Sequence, residues 1–302
     1  MGYLEDIDVA APDFADLYDE LPLWSAPFGL LLLDVVPMKS GSTILDVGAG
    51  TGFLTIELAE RCGPGTKVVA VDPWKAAMDR LRRKIEQRHL DNVLLLEQDA
   101  STIDLADASV DVIVSNLGIN NFEDPGAVLR TCSRVAKPSA TLLLTTNLVG
   151  HMAELYEVYR EVLTDLGHDD RLAALEAQVD HRGTVDSIAG LLRGAGFEVV
   201  DIVTSSFRMR FADGASLLRH HFIRLGFVQG WKSVAAPGSV QATFDALERR
   251  LNAVAEQRGE LALTVPMAAF VARRQTAVQI EPDAGSRGIA ADGTRHVRGG
   301  ER

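Results

Sequence analysis

Three glycines at alternate positions, Gly48, Gly50 and Gly52, stand where the apolar run Ile44-Leu-Asp-Val ends and an apolar helical stretch opens at Phe53. Glycine is required where backbone turns with positive φ, and where a ligand must approach the main chain more closely than a Cβ would allow. The segment therefore reads as a strand-to-helix loop that cradles a nucleotide. Its spacing narrows the choice of nucleotide. A nicotinamide or flavin fingerprint needs Gly-x-Gly-x-x-Gly or Ala, and here Phe53 occupies the third small position. An NAD-dependent oxidoreductase stays as a rival that this residue disfavours. The loop reads instead Asp46-x-Gly48-Ala49-Gly50-x-Gly52, with an acid inside the strand end.

Further signals follow in order. Lys67-Val-Val-Ala-Val-Asp72-Pro73 reads as a second strand ending in an acid, which could accept from both hydroxyls of a ribose. A third strand, Asn92 to Glu97, runs into Gln98-Asp99-Ala100; a fourth, Val110 to Ser115, into Asn116-Leu117-Gly118; a fifth spans Ala140 to Thr146. This ordered set resembles the class I methyltransferases that use S-adenosylmethionine, over about residues 40 to 147 and more weakly to about residue 275. The resemblance implies an α/β fold: a Rossmann-like, seven-stranded, mostly parallel sheet of order 3-2-1-4-5-7-6 with helices on both faces. It also implies a set of cofactor contacts. Asp46 and the backbone of Gly48, Ala49, Gly50 and Gly52 would hold the methionine end, Asp72 and Pro73 the ribose, and Asp99 with Ala100 the adenine, while Asn116 would lie near the methionine.

Between the strands, Ala77, Met78, Leu81 and Ile85, and again Val128, Cys132 and Val135, recur at helical spacing. Helices alternating with short apolar strands give parallel βαβ units with the ligand beyond the strands' carboxyl ends. Gly48, Asp72, Asp99 and Asn116 should then share one rim. After the fifth strand one helix carries Met152, Leu155, Val158, Tyr159, Val162 and Leu166, Thr184 caps another, and Phe197 to Val203 reads as the sixth strand.

There the chain departs from a minimal core. Ser206 to Phe211 alternates like a strand, and Asp213 caps a helix with Leu218, His221, Phe222 and Leu225 on one face. A second helix carries Val240, Phe244, Leu247, Leu251 and Val254. The closing strand is expected to begin near Pro266-Met267, since proline is tolerated at a strand's first residue and not within a central ladder. The expected organisation is an N-terminal lid over 1–40, the cofactor-binding core over 41–203, a helical cap insertion over 204–260, a closing strand within 261–280 and a disordered tail over 281–302. The lid segment holds Tyr18 and Trp24 and is broken by Pro22 and Pro27. In the resembled family such helices fold over the cofactor and shut out water, although aromatics here could equally cover the sheet edge.

Composition adds exclusions. Of 302 residues 47% are hydrophobic and 24% charged, enough to bury a large core. No stretch approaches the ~18 to 20 unbroken apolar residues of a membrane span, and the acidic opening residues lack the regions of a signal peptide. Cys62 and Cys132 fall on apolar helical stripes, as buried thiols of a cytoplasmic protein would, so neither a disulfide framework nor a metal site is expected. A net charge of −12 disfavours a nucleic-acid partner, which needs a basic footprint. The local basic run, Arg80 to Arg88, reads as the solvated side of a helix. The expected partner is a small-molecule methyl acceptor, and a homodimer stays open.

Methyl transfer from a sulfonium is an in-line displacement that needs little covalent help, and holding the nucleophile near the methyl in a dry site can contribute ~7 to 11 kcal/mol. A conspicuous catalytic signature is therefore not required. His151, after the fifth strand, is the candidate general base on the functional rim; it could instead cap the helix that follows. His221 is a second candidate, or a core histidine beside Leu218 and Phe222. Arg208 and Arg210 could meet an acidic substrate, or be solvated on an edge strand. Ser115-Asn116-Leu117-Gly118 is not the Asn-Pro-Pro-aromatic motif of enzymes that methylate planar amino groups, and two cysteines do not suit arsenic methylation. An oxygen, nitrogen or carbon acceptor remains open. A protein that keeps the cofactor fold without turnover is the rival from another class.

Overall fold

The computed structural model describes residues 2–8, 11, 13–19, 23–180 and 182–275. Pro22 and the expected tail at 281–302 lie outside the described residues. Seven strands form one sheet: β1 (Thr43–Val47), β2 (Lys67–Val71), β3 (Val93–Leu96), β4 (Val110–Asn116), β5 (Ala136–Asn147), β6 (Phe197–Phe211) and β7 (Leu261–Arg274), in the order β3-β2-β1-β4-β5-β7-β6. Strands β1 to β5 pair in parallel, whereas β7 runs antiparallel to both β5 and β6. Apart from their first residues, β1 and β2 are buried throughout, as the continuous apolar runs of central parallel strands demand.

Strand alternation sends side chains to two helical layers. Leu45, Val47, Ile113, Leu142, Leu144 and Phe270 meet α5 (Pro125–Val135) and α8 (Val185–Gly194). Ile44, Val68, Val112, Val114 and Leu143 meet α2 (Ser25–Leu33) and α3 (Phe53–Cys62). Beside them, Ala70 packs on Met78 and Leu81 of α4 (Lys75–Arg88). Cys62 and Cys132 are buried free thiols in these layers. Thr184 caps α8 in a reciprocal capping box with Ser187.

The antiparallel edge is longer than its sequence suggests. The β6–β7 ladder runs from Phe197 opposite Arg274 to Phe211 opposite Leu261, so β6 continues beyond Val203, and residues 204–211 belong to the sheet rather than to a helical excursion. Strand β7 begins at Leu261, not near Pro266. Proline is tolerated inside because the Pro266 carbonyl accepts from Leu148 N (3.0 Å) on the β5 side. A residue's N and O point to the same side of a strand, so the missing N–H also faces β5. Pairing with β5 ends one residue away, at Met267 opposite Asn147, and the ladder to β6 keeps its hydrogen bonds.

This overhanging hairpin carries a cap with its own core. It comprises α6 (Ala153–Asp165), α7 (Leu172–Val179), α9 (Gly214–Arg219), α10 (His221–Ile223), α11 (Gln229–Val234) and α12 (Val240–Arg258), packed with Leu261 and Leu263 of β7. Asp213 caps α9 through Ser216 N at 2.7 Å. The face expected to join Leu218 to Leu225 is not one α-helix. The chain breaks at His220 and passes through a π-turn, Arg224–Val228, so the buried pairs fall five residues apart: Leu217 and Leu218, Phe222 and Ile223, Phe227 and Val228. A π-turn widens the spacing in this way and is common at functional sites.

Gly52 shows how tightly the core constrains the loop. Its φ is +90°, and an added Cβ would stand 2.1 Å from Cδ1 of the buried Leu81. Left-handed strain of ~1 to 2 kcal/mol and overpacking of ~1 to 3 kcal/mol should together make Gly52→Ala destabilising by ~2 to 5 kcal/mol. Chemical denaturation should read this loss; an unchanged midpoint would mean that Leu81 can move away.

Candidate active site

The loop after β1 is held open by its neighbour β2. Gly48 N and Ala49 N both donate to Val71 O, at 2.9 and 3.1 Å, and Gly50 N donates to Asp72 Oδ2 at 2.8 Å. The second oxygen, Oδ1, accepts from Trp74 N at 2.8 Å. Asp72 is thus fixed by two backbone amides while each carboxylate oxygen keeps lone-pair capacity. Burial pushes its carboxyl up, and the two amides pull the other way. Gly50 has φ +54°, and a Cβ added there would meet nothing within 4 Å. Open space over bare backbone beside a carboxylate fits a ribose-bearing ligand.

Asp46 points to the α3 side, beneath the loop, where Thr55 Oγ1 donates to it at 2.6 Å. It is 1% exposed. Burial pushes its carboxyl up to about 7, with the charge of Asp72 adding and the Thr55 bond opposing. A cation above the loop would favour the ionised form, so the pair of acids suits a positively charged ligand.

The other expected residues lie along the same rim. Asp99 caps the turn Ala100–Thr102 through Ser101 N, and the Ser101 hydroxyl and amide hold its carboxyl below the usual range; Ala100 is buried and Pro73 exposed. At the end of β4, Asn116 accepts from Thr145 Oγ1 (2.7 Å) and donates to Ser25 O (3.1 Å), so it ties the start of α2 to the sheet.

Tyr18 and Trp24 part company. Helix α1 (Phe14–Asp19) lies on α4, with Tyr18 and Phe14 packed on Trp74 at ring distances of 5.4 and 5.7 Å. The Tyr18 phenol is raised by burial and by the Asp72 charge. The basic run of α4 is not a simple solvated face. Arg80 bonds Asp19 (2.9 Å), Arg83 bonds Asp16 (2.6 Å), and Lys84 joins Asp19 to Thr51 O (2.9 Å from Lys84 Nζ). Trp24 instead heads an aromatic wall, with ring centroids 5.5 Å from Phe28, 6.0 Å from Phe207, and 5.3 Å from both Phe222 and Phe227. A cavity of about 330 Å³ opens between Tyr18, Trp24, Gly52, Phe53, Lys84 and Phe222.

His151 is 1% exposed, its ring 6.2 Å from Phe227 and 5.8 Å from Tyr156. It does not cap α6; Met152 stands at that position without a side-chain bond. His221 opens α10 one residue before Phe222, and its Nε2 is buried without a hydrogen-bond partner among the described residues. Arg208 sits along β6, and Arg210 pairs with Glu260 across the exposed hairpin. Sequence reasoning missed the wall made by Phe207 and Phe227, and the roles of Thr55, Trp74, Asp19 and Lys84. Five-residue spacing of the cap's apolar pairs was the available signal for Phe227; contacts from α1 to α4 leave no local pattern.

A family model described as a methyltransferase domain matches residues 38–185. The chain is 29% identical over 180 residues to a demethylmenaquinone methyltransferase of Geobacillus sp. (strain WCH70), covering 56% of this chain and 76% of that one. It is 27% identical over 179 residues to the ubiquinone/menaquinone biosynthesis C-methyltransferase UbiE of Escherichia coli, covering 56% and 71%. The fold is shared with Haemonchus contortus phosphoethanolamine N-methyltransferase 2 in complex with S-adenosyl-L-methionine, at 17% identity and a TM-score of 0.54, covering 91% of this chain and 60% of that one.

The buried Asp46 carries a pH signature. An acid whose folded value is raised keeps its proton in the native state while the unfolded chain releases it, so its contribution to stability falls as pH rises from the ordinary carboxylate value to about 7. The slope should be at most about 1.4 kcal/mol per pH unit. Asp46→Asn mimics the neutral form and keeps an acceptor for Thr55. Relative to wild type it should gain stability from the ordinary carboxylate value up to about 7 and level off above that; a difference independent of pH would mean that Asp46 is ionised throughout.

Proposed function

The chain belongs to the class I S-adenosylmethionine-dependent methyltransferases, and on that premise we propose that it methylates a flat, apolar small molecule held against Trp24, Phe28, Phe207, Phe222 and Phe227. The observation that carries this reading is the aromatic wall itself, whose Trp24 and Phe222 line the same cavity as Gly52 of the glycine loop, with Phe28, Phe207 and Phe227 packed behind them. Flat rings lie favourably on aromatic faces and bury much apolar area there. The named activities of the two curated relatives, demethylmenaquinone methylation and C-methylation in ubiquinone/menaquinone biosynthesis, point to the same acceptor class. A net charge of −12 works against a polyanionic one.

In this reading Asp72 accepts from the ribose hydroxyls, and Asp99 with Ala100 bounds the adenine. Backbone of Gly48, Ala49 and Gly50 lies along the methionine end, with Asp46 beneath it as a countercharge. Tyr18 and Trp74 cover the ribose edge, and Asn116 fixes the start of the lid. Bound S-adenosylmethionine supplies the methyl group and the positive charge lost on transfer. The chain's own contribution is proximity, orientation and exclusion of water, which suffices for most of the barrier reduction such a transfer needs. Where the acceptor has a proton to lose, His151 at the edge of the wall takes it; we assign no step to His221.

Two measurements test this reading. Asp72→Ala should weaken S-adenosylhomocysteine by ~2 to 4 kcal/mol in calorimetry, and Gly50→Val should abolish binding in a folded protein; native affinity in both would remove the site assignment. With methyl-labelled cofactor, label should pass to a reduced naphthoquinone and into the organic phase. Transfer only to a polar amine or to RNA would overturn the apolar acceptor.

A further inference from the structure

At the end of β5, Asn147 is 1% exposed, and its Nδ2 is buried without a hydrogen-bond partner among the described residues. Its orientation is set by a short chain of bonds. Thr146 Oγ1 donates to Asn120 Oδ1 at 2.6 Å, and Asn120 Nδ2 donates to Asn147 Oδ1 at 2.9 Å. Amide orientations are assigned from the network, and these lengths support the assignment. The shorter one suits O–H···O and the longer N–H···O, whereas turning both amides would put a nitrogen at the shorter contact. Nδ2 is therefore the atom left over, and a buried donor without a partner costs stability.

Register says which face it occupies. Asn147 lies directly opposite Met267, so the two side chains share a face of the sheet, and Met267 packs with Phe28 and Leu117, flanked by Trp24 and Phe207. Leu117 holds φ +65° at the start of the turn that delivers Asn120; a bulky residue in that region is strained and is kept where a site requires it. A lone donor thus stands beside the aromatic wall, at the carboxyl ends of β4 and β5.

We propose that Asn147 Nδ2 donates a hydrogen bond to an oxygen of the methyl acceptor, a carbonyl or phenolate on a flat apolar ring, and so sets which ring edge faces the cofactor. This rests on the apolar acceptor argued above. An unpaired donor in the ligand-free protein becomes paired when the acceptor enters, which discriminates strongly against rings lacking the oxygen.

Calorimetry on the full chain saturated with S-adenosylhomocysteine, with 1-tetralone and tetralin as probes, separates the possibilities. Wild type should bind tetralone at least about tenfold more tightly than tetralin. Asn147→Leu, which lacks the donor, should bind both alike. Asn147→Asp, which keeps the acceptor for Asn120, should bind tetralone more weakly than tetralin. Should neither variant fold, the side-chain amide resonance of Asn147 in wild type should shift with tetralone and not with tetralin. Equal binding of both probes by wild type, or a preference that survives in Asn147→Leu, would overturn the role of Asn147 and leave the apolar site standing. Binding of neither probe would overturn both.

Discussion

The carboxylate of Asp72 holding the amide of Gly50 is the interaction on which the rest of this site depends. A chain leaving β1 must turn sharply into α3, and three positive-φ glycines let it do so; they do not by themselves fix where the turn points. Two amides on the Val71 carbonyl and one on Asp72 fix it to β2. Because the bonds come from backbone, the loop presents bare main chain to the open side and keeps side chains away from it. Charge-assisted bonds of this kind are roughly twice as strong as neutral ones, and the two amides offset part of the cost of holding Asp72 partly buried, burial remaining the larger effect.

Acidic groups are stacked on both sides of that loop, Asp72 at its rim and Asp46 beneath. Burial raises Asp46 to about 7, and the charge of Asp72 adds to the cost of ionising it. A cation placed above the loop would favour the ionised form of the buried acid, which is the electrostatic reason behind the cofactor orientation proposed above. The ion pairs that hold α1 on α4 work differently. Arg83 is half-exposed, and exposed pairs contribute at most about 1 kcal/mol each and weaken with salt. Lys84 and Asp19 are better shielded, and Lys84 also reaches the loop carbonyl of Thr51. Helix α1 is therefore tied to the loop through Lys84 and Asp19.

The cap exists because β6 and β7 outrun the rest of the sheet. Beyond Met267 the hairpin has no strand beside it on the β5 edge among the described residues, and the Met152 amide takes up Thr264 O there (2.7 Å). Helices packed on this overhang bring Phe222 and Phe227 against Trp24, so an edge that would otherwise invite pairing with another chain carries the aromatic wall.

Local chemistry was enough for the glycine loop and the acids after β2 and β3, since each motif needs only its own strand and turn to be read, and the order of the strands followed only from the family resemblance these motifs carry. Caps at Thr184 and Asp213 are local in the same sense. Other features were decided only when distant segments met. Alternation over Ser206 to Phe211 could not reveal its ladder to Leu261, because a strand is defined by a partner that lies about fifty residues away. Pro266 looked like a strand start because its tolerance depends on which neighbour its missing N–H faces. The π-turn broke a helical face that ideal spacing had drawn through Leu225. The charges of Arg80 to Lys84 gained partners from α1, and Asn147 gained its orientation from Asn120. Periodicity and turn chemistry record what a residue does along its own chain, whereas the pairing of edges, ions and buried amides is chosen by tertiary contact.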